Sequence, residues 1–321
     1  MNKLRATANA AVIMLFVLAS ASFVRAQETR TWVSGNGNDL NPCTRALPCK
    51  TLVNALSRTV VGGEIDVLDP VSTNGPIFIN KSVTIDGTGS FGSILASGTT
   101  ALNINIPVST SDPLRVVRIR GFSINGATSC GPACGTGGII GVNVYGAGAN
   151  AVYVEDSVID NFSNGINVVS TSPTASDLHL RNVTIRNCTN AGVIIRPSMN
   201  VVVLAFDNVN ITRSPVALNV QNGGRGAITR SYFGNSGGFG IMAASVSILT
   251  DLSVSETTFT GLGTGIWVST NAHVRIARCV ITGNTYSLAY ETGGLVDTGL
   301  NNSIMGNALN RAPNGSPFTQ Q

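Results

Sequence analysis

Glu155, Asp156 and Asp160 form the densest acidic group of this sequence, and Arg181 and Arg186 follow Glu155 and Asp160 at an interval of 26 residues. Carboxylates in such company can cleave a polysaccharide in two ways. A pair can divide general-acid and general-base work in hydrolysis, and a set can hold Ca²⁺ while an Arg or Lys removes a proton in elimination. A blander role fits the same residues: opposite charges in register on neighbouring strands form ladders, each contact worth a few tenths to about 1 kcal/mol. Fewer than three of these acids converge on one point, which favours the ladder. His179 and His273 are the only histidines. His179, between Leu178 and Leu180, reads as an outward side chain with no evident partner, so neither a Ser–His–acid nor a Cys–His set can be drawn. No metal centre is expected either, because both histidines lie far from Cys130 and Cys134 and no second cysteine pair has ligand spacing.

A second group suits contact rather than cleavage. Asn143, Asn167, Ile194, Met242 and Trp267 occupy outward positions of short apolar strands, with Tyr145 beside them. Amides and an indole can hydrogen-bond to and stack on sugar rings. The same stripe could instead be covered by a loop or by the chain terminus, or serve as an oligomer contact.

The elements that would position these residues repeat. Ile85, Ile124, Ile159, Ile185, Ile211, Phe233, Phe259, Ile281 and Ile304 each end a short strand, at spacings of 39, 35, 26, 26, 22, 26, 22 and 23. Periods of this size mark a solenoid. Seven and five residues before the landmarks stand pairs such as Val117/Ile119, Val152/Val154, Leu178/Leu180 and Val274/Ile276, the alternation of a strand with one buried face. Two residues after them, eight of nine positions are Gly or Asn, which accept a left-handed backbone at little cost; Arg213 is the exception. A third strand follows as Gly165-Ile166-Asn167-Val168 or Gly265-Ile266-Trp267-Val268. Three strands per unit make one coil of a right-handed parallel β-helix, about nine coils long, all-β except for a short N-terminal capping helix. Register stacks Glu155, Arg181 and Asp207 in one column and Asp160 over Arg186 in another.

The divisions expected are a signal peptide over 1–26, a capping segment over 27–63, the β-helix over 64–306 and a loosely ordered polar tail over 307–321. Lys3 and Arg5, an apolar run from Ala10 to Val24 and the small residue Ala26 just before Gln27 have the form of an export signal, and the run is too short to span a bilayer. The mature chain is thus expected to be secreted or periplasmic, with no membrane span. Removing Lys3, Arg5 and Arg25 from the 20 basic residues leaves 17 against 16 acids. The formal charge of +4 then falls to +1, and nucleic-acid binding loses its support. Leu52, Ala55 and Leu56 have the spacing of an amphipathic helix that would plug the first coil. Six cysteines in an exported chain point to an oxidising compartment. Cys43 and Cys49 bracket a loop before that helix and are expected to form a disulfide, as are Cys130 and Cys134 within an insertion. Cys279 reads as a core thiol, and Cys188 falls in a turn too many coils away to reach it.

Trp32-Val33-Ser34, Gly37-x-Asp39-x-Asn41-Pro42-Cys43-Thr44, Pro48-Cys49-Lys50-Thr51-Leu52, Gly62-Gly63-Glu64-Ile65 and Lys81-Ser82-Val83-Thr84-Ile85-Asp86-Gly87 together resemble the N-terminal part of secreted, largely uncharacterised bacterial right-handed β-helix proteins. The likeness covers roughly residues 31–87, and the later coils resemble the pectate-lyase-like superfold only in general form. That superfold includes lyases, polygalacturonases and non-catalytic adhesins, so the resemblance implies polysaccharide contact and leaves the activity open. The chain departs from the polygalacturonase pattern, having neither its Asp-Asp pair nor a Gly-His-Gly motif. The function expected first is non-catalytic contact with a polysaccharide, a cell-surface glycan or a surface partner, through Asn143, Tyr145, Asn167 and Trp267, without a cofactor. The alternatives are a lyase or hydrolase of acidic polysaccharide at Glu155, Asp156, Asp160, Arg181 and Arg186, with Ca²⁺ only in the lyase case, and a structural or adhesive rod.

Overall fold

The computed structural model describes residues 27–90, 92–127, 137–172, 174–299 and 301–318. Among these, the strands pair in parallel throughout and wind into nine coils, counted on the nine-stranded sheet formed by the third strand of each coil. The first and second strands of the coils form the other sheet, folded at a corner. The chain is a parallel β-helix, as the spacing predicts.

Its core is three stacks of apolar side chains. Ile77, Leu102, Val142, Ile166, Val193, Leu218, Ile241, Ile266 and Leu288 pair from coil to coil along the third strands and are all fully buried. Ile65, Ile85, Ile119, Val154, Leu180, Phe206, Ile228, Val254 and Ile276 run along the first strands. The second strands carry Ile94, Ile124, Ile159, Ile185, Ile211, Phe233, Phe259, Ile281 and Ile304. Here one landmark needs correction: Ile85 stacks between Ile65 and Ile119, and Ile94 is the residue beneath Ile124. The Ile-Asp-Gly sequence at 85–87 imitates the second-strand turn, whereas Ile94 has no Gly or Asn two residues on.

Most coils turn twice through left-handed backbone. The second-strand turn uses Asn161, Asn187, Arg213, Asn235, Gly261, Gly283 and Gly306, all with positive φ. Gly126 is a glycine for a different reason. A Cβ there would lie 1.9 Å from the Asn161 carbonyl oxygen, and the left-handed residue is its neighbour Ala127. A second left-handed column, unforeseen from sequence, makes the corner between first and second strands: Gly121, Asp156, Asn182, Asn208, Arg230, Glu256 and Arg278. For Arg and Glu this conformation costs about 1–2 kcal/mol per residue, offset by the stacking of corner on corner. Inside that corner, the hydroxyls of Ser157, Ser231 and Thr257 donate to the carbonyls of Glu155, Thr229 and Ser255 at 2.7–2.8 Å. Ser157 and Ser231 also accept the amides of Phe122 and Val209 at 3.1 Å. Small polar residues therefore satisfy backbone groups that the tight corner would strand in the core.

Both ends are closed. At the start, Glu28–Val33 pairs with Thr59–Val67, so the capping segment contributes a strand as well as a helix. The helix Leu52–Arg58 buries Leu52, Ala55 and Leu56 against the core. Asp39 accepts the amides of Lys50 and Thr51 at 2.9 Å, fixing the entry to that helix, and Cys43 and Cys49 form the expected disulfide. Cys130 and Cys134 lie outside the described residues, as does the segment 1–26. At the other end the described part of the tail, up to residue 318, bonds to the last coils. Leu309 pairs with Thr285 and Ser287, Arg311 lies over the Tyr290 ring at 3.6 Å, and Pro317–Phe318 pairs with Gly294–Gly299. Its polar, Pro-containing composition suits a strip that seals exposed backbone rather than one that fills a core. No helix among the described residues is long and apolar enough to cross a membrane.

Candidate functional site

The outward face of the first strands carries columns of charged side chains in register. One column runs Arg30, Glu64, Thr84, Arg118, Tyr153, His179, Ala205, Ala227, Ser253, Arg275, Asp297. Beside it run Trp32, Asp66, Asp86, Arg120, Glu155, Arg181, Asp207 and Thr229. Because side chains alternate across a strand, these two columns are nearest neighbours on one surface.

Within the first column, three planar groups stack. The Arg118 guanidinium lies 4.4 Å over the Tyr153 ring, and the Tyr153 and His179 rings stack at 4.4 Å with only 13° between their planes. His179 thus has a partner, contrary to the sequence expectation, and it also lies 3.9 Å from Asp177. On the next two coils the column falls to Ala205 and Ala227. The stack stops, and a trough of about 270 Å³ opens beyond His179, with Arg181, Asp207 and Thr229 along its side. A larger concavity of about 450 Å³ opens at the start of the same face, lined by Arg30, Trp32, Arg45, Glu64, Asp66, Asp86 and Thr88.

The acids proposed for catalysis are engaged. Glu155 accepts from Arg120 Nε at 2.8 Å, lies 3.2 Å from Arg181 and 3.9 Å from Arg118. Asp160 accepts from Arg186 at 2.9 Å and from Asn187 at 2.6 Å. Asp156, on the corner, accepts from Asn182 at 2.7 Å, and Asn182 in turn accepts from Asn208 at 2.9 Å. Glu155 and Arg181 reach the trough, whereas Asp156, Asp160 and Arg186 do not line it. The corner divides the five between two strands, which is why proximity in sequence does not become convergence.

The amide stripe is also occupied with itself. Asn143 donates to Asn103 at 3.1 Å and Asn167 donates to Asn143 at 3.0 Å, a ladder along the third strands. Trp267, half-buried between Met242 and Ala289, meets Phe239 edge to face at 6.3 Å. Tyr145 pairs in register with Val169, two residues beyond the ladder. The Asn143 and Asn167 amides are thus engaged along the rod, whereas Asn219, in the same column between Ile194 and Met242, keeps its Oδ1 buried without a hydrogen-bond partner.

Sequence reasoning missed Tyr153, Trp32, Glu64, Asp66 and Asp86. Tyr153 was within reach, since it stands six residues before Ile159 as His179 stands six before Ile185. In the larger concavity, burial and then a hydrogen bond shared with Asp66 push the Glu64 carboxyl up. Burial also pulls on Asp86, but Thr88 and Arg120 outweigh it and hold that carboxyl below its usual range. Arg30 bridges Asp66 at 2.5 Å and Glu64 at 3.4 Å. Among the described residues, no three His, Cys, Asp or Glu side chains are grouped so as to hold a metal ion.

Comparison with known proteins agrees with this architecture. Residues 173–315 match the model of the right-handed beta helix region, which gives the hand of the coil. Among solved structures, the chain is similar to XylC in complex with xylose, with TM-score 0.53 and 8% identity over 85% of this chain and 67% of that one. It is similar to a rhamnogalacturonan lyase with TM-score 0.50 and 11% identity over 90% and 86%. The pectate lyase Pel9A aligns at TM-score 0.43 and 15% identity over 88% and 78%. No curated protein matches the sequence. These likenesses establish the fold, a right-handed parallel β-helix.

Proposed function

We propose that this chain is an exported β-helix that holds a polysaccharide strand along the outward face of its first strands, without cutting it. The observation that carries the reading is the interrupted stack. Arg118, Tyr153 and His179 are spaced like successive rungs, and the trough over Ala205 and Ala227 leaves the outer His179 face free for a fourth planar group. A sugar ring laid there would stack on the imidazole, with Arg181, Asp207 and Thr229 beside it to exchange hydrogen bonds with its hydroxyls. This moves the contact from Asn143, Asn167 and Trp267 to the charged face.

Cleavage finds less support. The acids at 155, 156 and 160 are committed to Arg or Asn partners, so no free pair stands on either side of a bond in the trough. Export is supported by the Lys3–Ala26 segment and by the Cys43–Cys49 disulfide, which persists in an oxidising compartment. Among the similar folds, one is named for rhamnogalacturonan and another holds xylose, so glycan contact is in keeping with the scaffold.

The test is retention of the mature protein on gels cast with a panel of soluble polysaccharides, run beside a product assay with Ca²⁺ and with chelator. Retardation by at least one glycan, relieved by His179→Ala and without new reducing ends or unsaturated products, is the expected result. Products would overturn the non-catalytic reading, and retention indifferent to His179 would overturn the trough.

A further inference from the structure

We infer that the glycan held in the trough is a flat ribbon, a chain of pyranose rings each joined to its neighbours through equatorial bonds, and that it crosses the rod along the strand direction. The inference rests on the glycan reading above and names the class of chain which that reading admits.

The first observation is orientation. The Tyr153 and His179 rings are stacked on successive coils with nearly parallel planes. A ring on the next rung, over Ala205, therefore lies with its plane across the rod axis and one face against the imidazole. Its faces point along the rod, and its rim points along the strands and outward. Equatorial bonds leave a pyranose through the rim, whereas axial bonds leave through the faces. A ring joined through two equatorial bonds keeps both faces clear, and its chain continues in the plane of the ring. A ring joined through two axial bonds carries a neighbour on each face, so no internal ring of such a chain can reach His179. The stack thus admits ribbons of the cellulose or mannuronan kind. It turns away diaxial chains of the galacturonan or guluronan kind, except at their terminal rings.

The second observation is what flanks the trough in the strand direction. Its floor of Ala205 and Ala227 has Asp207 and Thr229 on the side toward the corner, and Val203 and Arg225, both exposed, on the other. Thr229 Oγ1 donates to Asp207 at 3.1 Å and Arg230 bridges Asp207 at 2.5 Å. Asp207 is thereby held in place with acceptor capacity left for sugar hydroxyls. Arg225 reaches the Leu249 carbonyl from Nε at 3.4 Å, which steadies its guanidinium beside the trough. From Val203 to Asp207 is four residues, about 13 Å at ~3.3 Å per residue, room for about three pyranose rings. Rings beyond that number leave the face on either side and meet solvent.

The experiment is calorimetric titration of the mature chain with two pairs of tetrasaccharides, each pair matched in charge. Cellotetraose is set against the galactose tetramer joined through axial bonds, and tetramannuronate against tetraguluronate. The first member of each pair is diequatorial and the second diaxial. In the pair that binds, the diequatorial member should bind about tenfold more tightly. The hexamer of the same ribbon should gain less than about threefold over the tetramer, since its added rings find no further contact. His179→Ala should bring the two members of the pair to within about twofold of each other. Arg225→Ala should weaken the ribbon about fivefold and leave the melting temperature unchanged. A diaxial chain that binds as tightly as its equatorial partner overturns the linkage inference. A hexamer bound about tenfold or more tightly than the tetramer, or indifference to Arg225→Ala, overturns the crossing. Ribbons that fail to bind while the polysaccharide gels show retention overturn this inference alone, and failure of both overturns the glycan reading.

Discussion

Replacing Ala205 by tyrosine separates what the ring stack does for the fold from what it does for a ligand. Ala205 is half-buried and follows His179 in the outward column, one rung of ~4.8 Å further on. Tyr153 and His179 already stack at 4.4 Å with nearly parallel planes, so a ring at 205 would continue the series in the same geometry. An added cross-strand aromatic contact contributes about 0.5–1 kcal/mol relative to alanine. For a protein of this size that corresponds to a rise of about 1–4 °C in melting temperature. The same ring fills much of the 270 Å³ trough and covers the free face of His179. Glycan affinity should therefore fall by about tenfold or more, a loss of ~1.4 kcal/mol, while the melting temperature holds or rises. Differential scanning calorimetry and titration on one preparation read both quantities. Unchanged or tighter binding with a raised melting temperature would refute the assignment of the trough, and a large destabilisation would refute the stacking geometry.

Glu155→Ala removes the acid shared by Arg120 and Arg181 and leaves those like charges facing each other two rungs apart; since both arginines are partly exposed, the cost should be about 1–2 kcal/mol and shrink with added salt, read by melting at two ionic strengths. Leu218→Ala, in the middle of the fully buried third-strand stack, should cost about 2–5 kcal/mol in denaturant unfolding. Asp112 accepts from the Ser82 amide and hydroxyl and the Arg115 amide; burial pulls its carboxyl up, but these hydrogen bonds and the Arg115 charge outweigh it and hold it below 3.8. Its folded form binds fewer protons than its unfolded form, so its contribution is complete above pH 3.8 and is lost as the pH falls through the lower folded value. Asp112→Asn should flatten this part of the acid limb of the stability curve. Cys188 and Cys279, buried and with thiols pushed up to about 11, should resist alkylation at pH 8 until denaturant is added, as peptide mapping would report.

The coils were legible because two signals coincide in each: alternation within a strand, and a residue tolerant of left-handed backbone after it. Where one signal appears without the other the reading slips. Ile85 has a following Gly and was placed in the wrong stack, while Ile94 has none and was passed over. The corner column shows the limit more sharply, since Arg230, Glu256 and Arg278 hold positive φ with side chains that disfavour it. Coil-to-coil stacking overrides their local preference there. The charge ladders were correctly aligned by register, Glu155 over Arg181 and Asp160 over Arg186. The larger concavity was not legible, because it needs Glu28–Val33 to pair with Thr59–Val67 across a helix and a disulfide loop. No periodicity announces that pairing.

The closing tail has a consequence for the molecule as a particle. A parallel solenoid has two unlike ends, and the last strands of one copy run in the direction that the first strands of another could continue. Without the strip from Leu309 to Phe318, the backbone groups of Thr285, Ser287 and Val296 would lose their partners and lie open along the final coil. A head-to-tail contact of that kind does not close on itself and grows into a filament. The strip from Leu309 to Phe318 thus occupies the backbone groups through which such a contact would form.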